Sequence, residues 1–189
     1  MASGDIRDLA GGKGHVQAWV GGPSGKHVLD DLREDAYRGE PSLHDVAAMH
    51  WISHEKDGHY LNMAQEHGKS TDWRAFDHDY AFAVHRGVLE EPNQWGRDEH
   101  HMLSDPILEL NDQQIPMRLR QRAAHLTYER ASKMFRPLGF PPHWLAWIAA
   151  KASMLSEMET WPAIEDQRDH MALAAVKARE ILGMPRLVR

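Results

Sequence analysis

Histidine is the side chain in this sequence with the widest chemical range, and there are fourteen. Two of them, His50 and His54, stand four residues apart in a stretch of helical periodicity, where Leu43, Ala47, His50 and His54 fall on one face. That spacing lets two imidazoles reach one divalent metal ion, and Asp57 continues the face if the helix extends that far. Asp77, His78 and Asp79 form a second cluster, and Glu99, His100 and His101 a third. A metal held by His50, His54 and Asp57, or by His78 and Asp79, would activate a water as nucleophile. The competing reading is that His50 and His54 pack as hydrogen-bonded histidines at the edge of a core, since such a pair arises readily in a histidine-rich chain. Fourteen histidines also give a proton capacity between about pH 5 and 7, which would suit a pH-responsive binding protein.

The adjacent pair His78-Asp79 is similar to the His-Asp pair of the HD-type metal phosphohydrolases, an all-helical family. The resemblance would match His50 or His44 to the upstream histidine and Asp105 or Asp112 to the downstream aspartate. It covers two adjacent residues with elastic spacing. The family's pair follows a strongly apolar stretch, whereas Trp73-Arg74-Ala75-Phe76-Asp77 precedes this one, so membership does not follow.

Other chemistries are excluded more firmly. The chain has no cysteine, which removes disulfides, thiolate ligands and cysteine nucleophiles. It has no Gly-x-Ser-x-Gly elbow and no glycine-rich dinucleotide fingerprint. Gly68-Lys69-Ser70 lacks the glycine that a phosphate loop carries five positions earlier, where Met63 stands. No catalytic residue is assigned on these patterns.

The elements that would position the histidines read as helices. A first helix is expected over 26–37, stopped by Gly39. Ser42 after Pro41 can cap a second that runs to about Asp57, with Gly58 as its stop. A short piece over 59–67 and a helix from Ser70 or Thr71 to Arg86 follow, then a loop with Pro92, Asn93 and Gly96. Ser104-Asp105-Pro106 opens a short helix. Pro116 opens a long one to Arg136, with Met117, Ala124, Tyr128, Ala131 and Phe135 on one face and Arg118, Arg122, Lys133 and Arg136 as a basic stripe. Pro141-Pro142 opens the next, to Met158, with Trp144, Ile148, Leu155 and Met158 aligned and Lys151 inside the apolar arc, its ammonium expected to snorkel out or, if buried, to need a carboxylate partner. Thr160 and Pro162 open the last, in which Ile164, Met171, Ala174, Ala175, Ala178 and Leu182 align. Successive amphipathic stripes predict an all-α bundle of about six to seven helices.

Residues 1–25 hold seven of the fourteen glycines and read as an extended N-terminal arm, leaving 26–189 as a single helical domain. Only Val16 to Val20 alternates as a strand would. Residues 1–112 carry a net charge of −11 and residues 113–189 one of +5, a polarity that can orient subunits or neutralise within one fold. Val16, Trp19 and Val20 in the arm, Trp95 in the loop, and the stripe Arg118, Arg122, Lys133 and Arg136 are therefore candidate interface residues. Together these features point first to a structural or interaction subunit of a larger homo- or hetero-oligomer, of which a connector or adaptor in a virus particle would be one example. That reading needs no cofactor. The alternative is a metal-dependent helical hydrolase, phosphohydrolase-like, with a divalent metal ion. An acidic whole argues against a dedicated nucleic-acid partner. The absence of a signal-peptide pattern and of a membrane-length apolar run sets the expectation of a cytoplasmic or virion location, with no membrane partner.

Overall fold

The computed structural model describes residues 4–9, 12–17, 41–55, 58–59, 62–65, 73–75, 81, 89, 104–163 and 166–185. Gly4–Leu9 (β1) pairs antiparallel with Gly12–Gln17 (β2). Pro41–Ser53 (α1) comes next, then Met63–Gln65 (β3) and Trp73–Ala75 (β4), paired antiparallel with Met63 opposite Ala75 and Gln65 opposite Trp73. The remaining helices are Asp105–Glu109 (α2), Met117–Ala124 (α3), Tyr128–Phe135 (α4), Pro142–Glu157 (α5) and Gln167–Ile181 (α6). The described part is thus mostly helical, as the periodicity predicts. None of its helices is long and apolar enough to cross a membrane. The expected helix over 26–37 and the loop around Trp95 lie outside the described residues.

The centre is α5. Leu145 to Ala152 is buried without a break, which is the pattern of a helix enclosed on all sides. It packs against α1, α3, α4 and α6. Along α6 the buried side chains include Met171, Ala174, Ala175 and Ala178, and the alanines let the two helices approach closely. Two connections zip together beneath them. Ile115 N–H donates to the Glu159 carbonyl and Trp161 N–H to that of Gln113, so the chain before α3 runs beside the chain after α5.

Three expectations are corrected. The long helix over 116–136 is two helices. α3 ends at His125, and Thr127 takes extended backbone (φ −72°, ψ 166°) with its hydroxyl accepting the Arg130 N–H, an N-cap that starts α4. The break changes the buried face: Met117 is 60% exposed, while Leu119 and Ala123 point inward. Second, helices were expected over 59–67 and from Ser70 or Thr71, but the described parts are the strands β3 and β4, because cross-strand pairing and burial of Met63, Trp73 and Ala75 outweigh local helical preference. Third, Ser42 does not precede α1 as its cap. It lies within the helix, and its hydroxyl accepts the Trp73 N–H at 2.9 Å, tying β4 to α1.

Candidate functional site at the end of α1

α1 is the platform. Its apolar side chains Leu43, Val46, Ala47 and Trp51 are buried, and so are His44 and His50. Cross-links from other elements hold it. Arg118 on α3 pairs with Asp45 and donates to the Pro41 carbonyl. Trp161 Nε1–H donates to His44 Nδ1 at 3.0 Å. Trp51 Nε1–H donates to the Lys151 carbonyl at 3.0 Å.

The helix ends earlier than Asp57. His54 has φ +54°, in the left-handed region, and the Glu55 N–H reaches back to the His50 carbonyl at 3.0 Å. These are the marks of a Schellman termination, with histidine where glycine usually stands. His54 therefore leaves the helix instead of stacking one turn above His50. Its ring packs edge-on against Trp147, centroids 5.5 Å apart. The expected i, i+4 imidazole pair on one helical face is not formed, although His50 and His54 are both buried.

Beyond the termination the chain is clamped. Gly58 lies against His50 so closely that a Cβ there would stand 2.5 Å from Nδ1 and 2.8 Å from Cε1, and 2.5 Å from Ser104 Cβ. Its carbonyl accepts the Asp105 N–H at 2.9 Å, at the start of α2. Asn62 N–H donates to the His59 carbonyl, and Asn62, buried, leads directly into β3. Because Met63 faces Ala75, Asn62 and the chain leaving β4 lie at the same end of the hairpin.

A second polar feature lies across α1. Lys151 is buried, and its Nζ sits 3.2 Å from the centroid of the Trp51 indole. Burial holds its pKa well below the ordinary lysine range. The His170 ring meets Trp51 edge-on at 5.7 Å, and burial followed by the Lys151 charge lowers its pKa. The expectation that Lys151 snorkels to solvent is thus overturned: the side chain is buried and its ammonium lies over the indole face.

Of the other residues singled out above, Arg118 is engaged within the chain, whereas Arg122, Lys133 and Arg136 are exposed. The last two sit at α4 and its end, on a different helix from Arg118 and Arg122. Val16 lies in β2. Trp19, Val20, Trp95, Asp57, His78, Asp79 and the cluster at 99–101 are outside the described residues. Among the described residues no three His, Asp or Glu side chains converge as a metal-binding group. His44, matched above to an upstream ligand, instead accepts from Trp161, and Asp112 has φ +60° beside that same connection. The histidine spacing gave no reason to single out Asn62, or Gly58 beyond its place as a helix stop; the structure packs Gly58 on His50 and bonds the Asn62 N–H to the His59 carbonyl.

The chain matches no family model, and neither the curated proteins nor the solved structures give a match.

Proposed function

We propose that the chain is a metal-dependent phosphoryl-transfer enzyme, which shares a divalent metal with the hydrolase reading above but differs from it in ligands and in reaction. The observation that carries this is the β3–β4 hairpin, which returns the chain to the end where Asn62 lies. Asp77 follows Ala75 by two residues, a reach of at most about 7 Å. An aspartate, an asparagine five positions later and a further acid near that asparagine are the parts with which protein-kinase-type enzymes run phosphoryl transfer. In this chain they are Asp57, Asn62 and Asp77 or Asp79. Asp57 would accept the proton of the attacking hydroxyl. Asn62 and the second acid offer the hard oxygen donors that suit Mg²⁺. Bound there, Mg²⁺ would neutralise charge on the phosphates. Enzymes of this kind cover the phosphates with a glycine-rich loop and a strand lysine in place of a phosphate-loop signature. His50 and His54 then shape the protein around the loop and are not metal ligands.

The test is incubation of the full chain with Mg²⁺ and ATP labelled in the γ-phosphate. Label should pass to water, to the protein or to a hydroxyl acceptor. The transfer should fall by at least about 10²-fold in Asp57→Asn and Asn62→Ala variants whose circular dichroism matches wild type. A wild type that neither stabilises on adding Mg²⁺-ATP nor transfers label would overturn the reading.

The assembly-subunit reading keeps one specific support. Met134 and Leu138 are 51% and 56% exposed, beside the exposed cations Arg130, Lys133 and Arg136. Mixed apolar and basic surface of this kind suits an acidic protein partner. Native mass spectrometry of untagged protein tests it: a defined oligomer lost in Met134→Glu supports it, and a strict monomer counts against it.

A further inference from the structure

We infer that His50 is a positioning residue that sets the path of the loop joining α1 to β3. The inference rests on the phosphoryl-transfer reading for its functional consequence, but the clamp itself is a matter of packing. The His50 imidazole is buried in the last turn of α1, 2% exposed. Ser104, 1% exposed, also borders the space that a side chain on Gly58 would take. The gap between them admits backbone but no side chain, since a Cβ on Gly58 would fall within 2.5 Å of both. Gly58 does not take left-handed backbone, so space alone requires glycine there. The Gly58 carbonyl is meanwhile held by the Asp105 N–H at 2.9 Å. One end of the loop is fixed by the Glu55 N–H on the His50 carbonyl, and the other by the Asn62 N–H on that of His59.

His50 therefore acts on this loop twice, through its carbonyl at the helix end and through its ring at Gly58. The peptide bond next to Gly58 belongs to Asp57, the proposed base. A shift of the Gly58 backbone passes to the proposed base through that single peptide bond. Misplacement of about 1 Å is enough to cost on the order of 10²-fold in rate. His50 needs no contact with substrate for this, which separates a positioning role from a catalytic one.

The experiment is a size-swap cycle with Gly58→Ala, His50→Ala and the double variant. Each is read by backbone hydrogen exchange over residues 55–62, by melting temperature and by kcat and KM for ATP. Gly58→Ala should speed exchange in the loop and lower kcat by about 10- to 100-fold with KM changed by less than about threefold. His50→Ala should also speed exchange there. In the double variant the added methyl still meets Ser104 Cβ, but the backbone at residue 58 can shift into the space the ring has left, so part of the exchange protection and kcat lost in Gly58→Ala should return. If Gly58→Ala fails to fold while the double variant folds, that rescue supports the clamp equally. Unchanged exchange in His50→Ala, or a double variant no better than Gly58→Ala, would overturn it. An inactive wild type would sink the phosphoryl-transfer reading alone, because exchange and rescue of folding judge the clamp without activity.

Discussion

Lys151 and Trp51 hold each other twice. The lysine's Nζ lies over the indole face, 3.2 Å from its centroid, and the indole Nε1–H donates to the lysine's own carbonyl at 3.0 Å. The relationship fixes α1 to α5 but leaves a cationic group within the core. An indole face returns less than the hydration a buried ammonium gives up. Lys151→Met, which keeps length and apolar contact, should therefore stabilise the fold by about 1–3 kcal/mol. Urea denaturation with an unchanged m-value would show it. A destabilised Lys151→Met would mean that the cation contributes net stability.

The same group predicts how stability depends on pH. Burial lowers the Lys151 pKa in the folded protein, so the unfolded chain binds more protons over the interval between that lowered value and about 10.4. Stability from this group should rise with pH across the interval and level off above it. Lys151→Met should remove that component of the slope, seen by comparing melting temperatures of the two proteins from neutral to alkaline pH.

His170, which also meets Trp51, reports on Lys151. Burial and the lysine charge lower its pKa, so its contribution to stability is present above about 6.5 and shrinks as pH falls toward the folded-state value. Lys151→Met should move the His170 pKa back toward the ordinary histidine range. An NMR titration of its ring protons would read this, and an unmoved midpoint would remove Lys151 as a cause.

What was legible in the sequence follows from what each signal measures. Periodicity reports burial of one helix face, so the stripe Met171, Ala174, Ala175 and Ala178 was readable and so was the helix it marks. It says nothing about a helix segment buried all round, and on α5 it misled about Lys151 because Leu145 to Ala152 is enclosed without a break. The Thr127 cap was visible as a threonine with Glu129 in the following turn, yet apolar periodicity on both sides hid it. At the candidate site, the histidine spacing assumed a helix through Asp57. The left-handed turn at His54 is set by tertiary packing on Trp147 and by the Glu55–His50 bond, neither of which spacing encodes. The closeness of Asn62 to the chain leaving β4 depends on strand register, which three-residue strands do not announce.

Trp161 supplies a test of how α1 is held. Its side chain is buried and its Nε1–H donates to His44 Nδ1, so that nitrogen serves as the acceptor and carries no proton in this arrangement. Trp161→Phe keeps an aromatic ring but strands a buried acceptor and leaves space unfilled. It should cost about 2–4 kcal/mol, more than the surface pair Arg118–Asp45, whose removal should cost about 1 kcal/mol or less. Denaturant titration of Trp161→Phe and Arg118→Met would rank them, and an equal or reversed order would show that the Trp161–His44 bond is not a principal anchor of α1.

The final prediction concerns the turn that separates the two central histidines. At φ +54° a β-branched side chain is strained, whereas asparagine tolerates this backbone well. The His54 ring also packs on Trp147, so any replacement loses an aromatic contact worth about 0.5–1.5 kcal/mol. His54→Asn should thus cost about that much, and His54→Val about 1–2 kcal/mol more because it adds backbone strain to the same lost contact. If the histidine instead continued the helix, the order would reverse, because valine is tolerated within a helix about as well as asparagine and would bury more apolar surface. Chemical denaturation of the two variants therefore distinguishes a helix that stops at Ser53 from one that runs on to Asp57, and with it whether His50 and His54 can ever present both imidazoles to one ion.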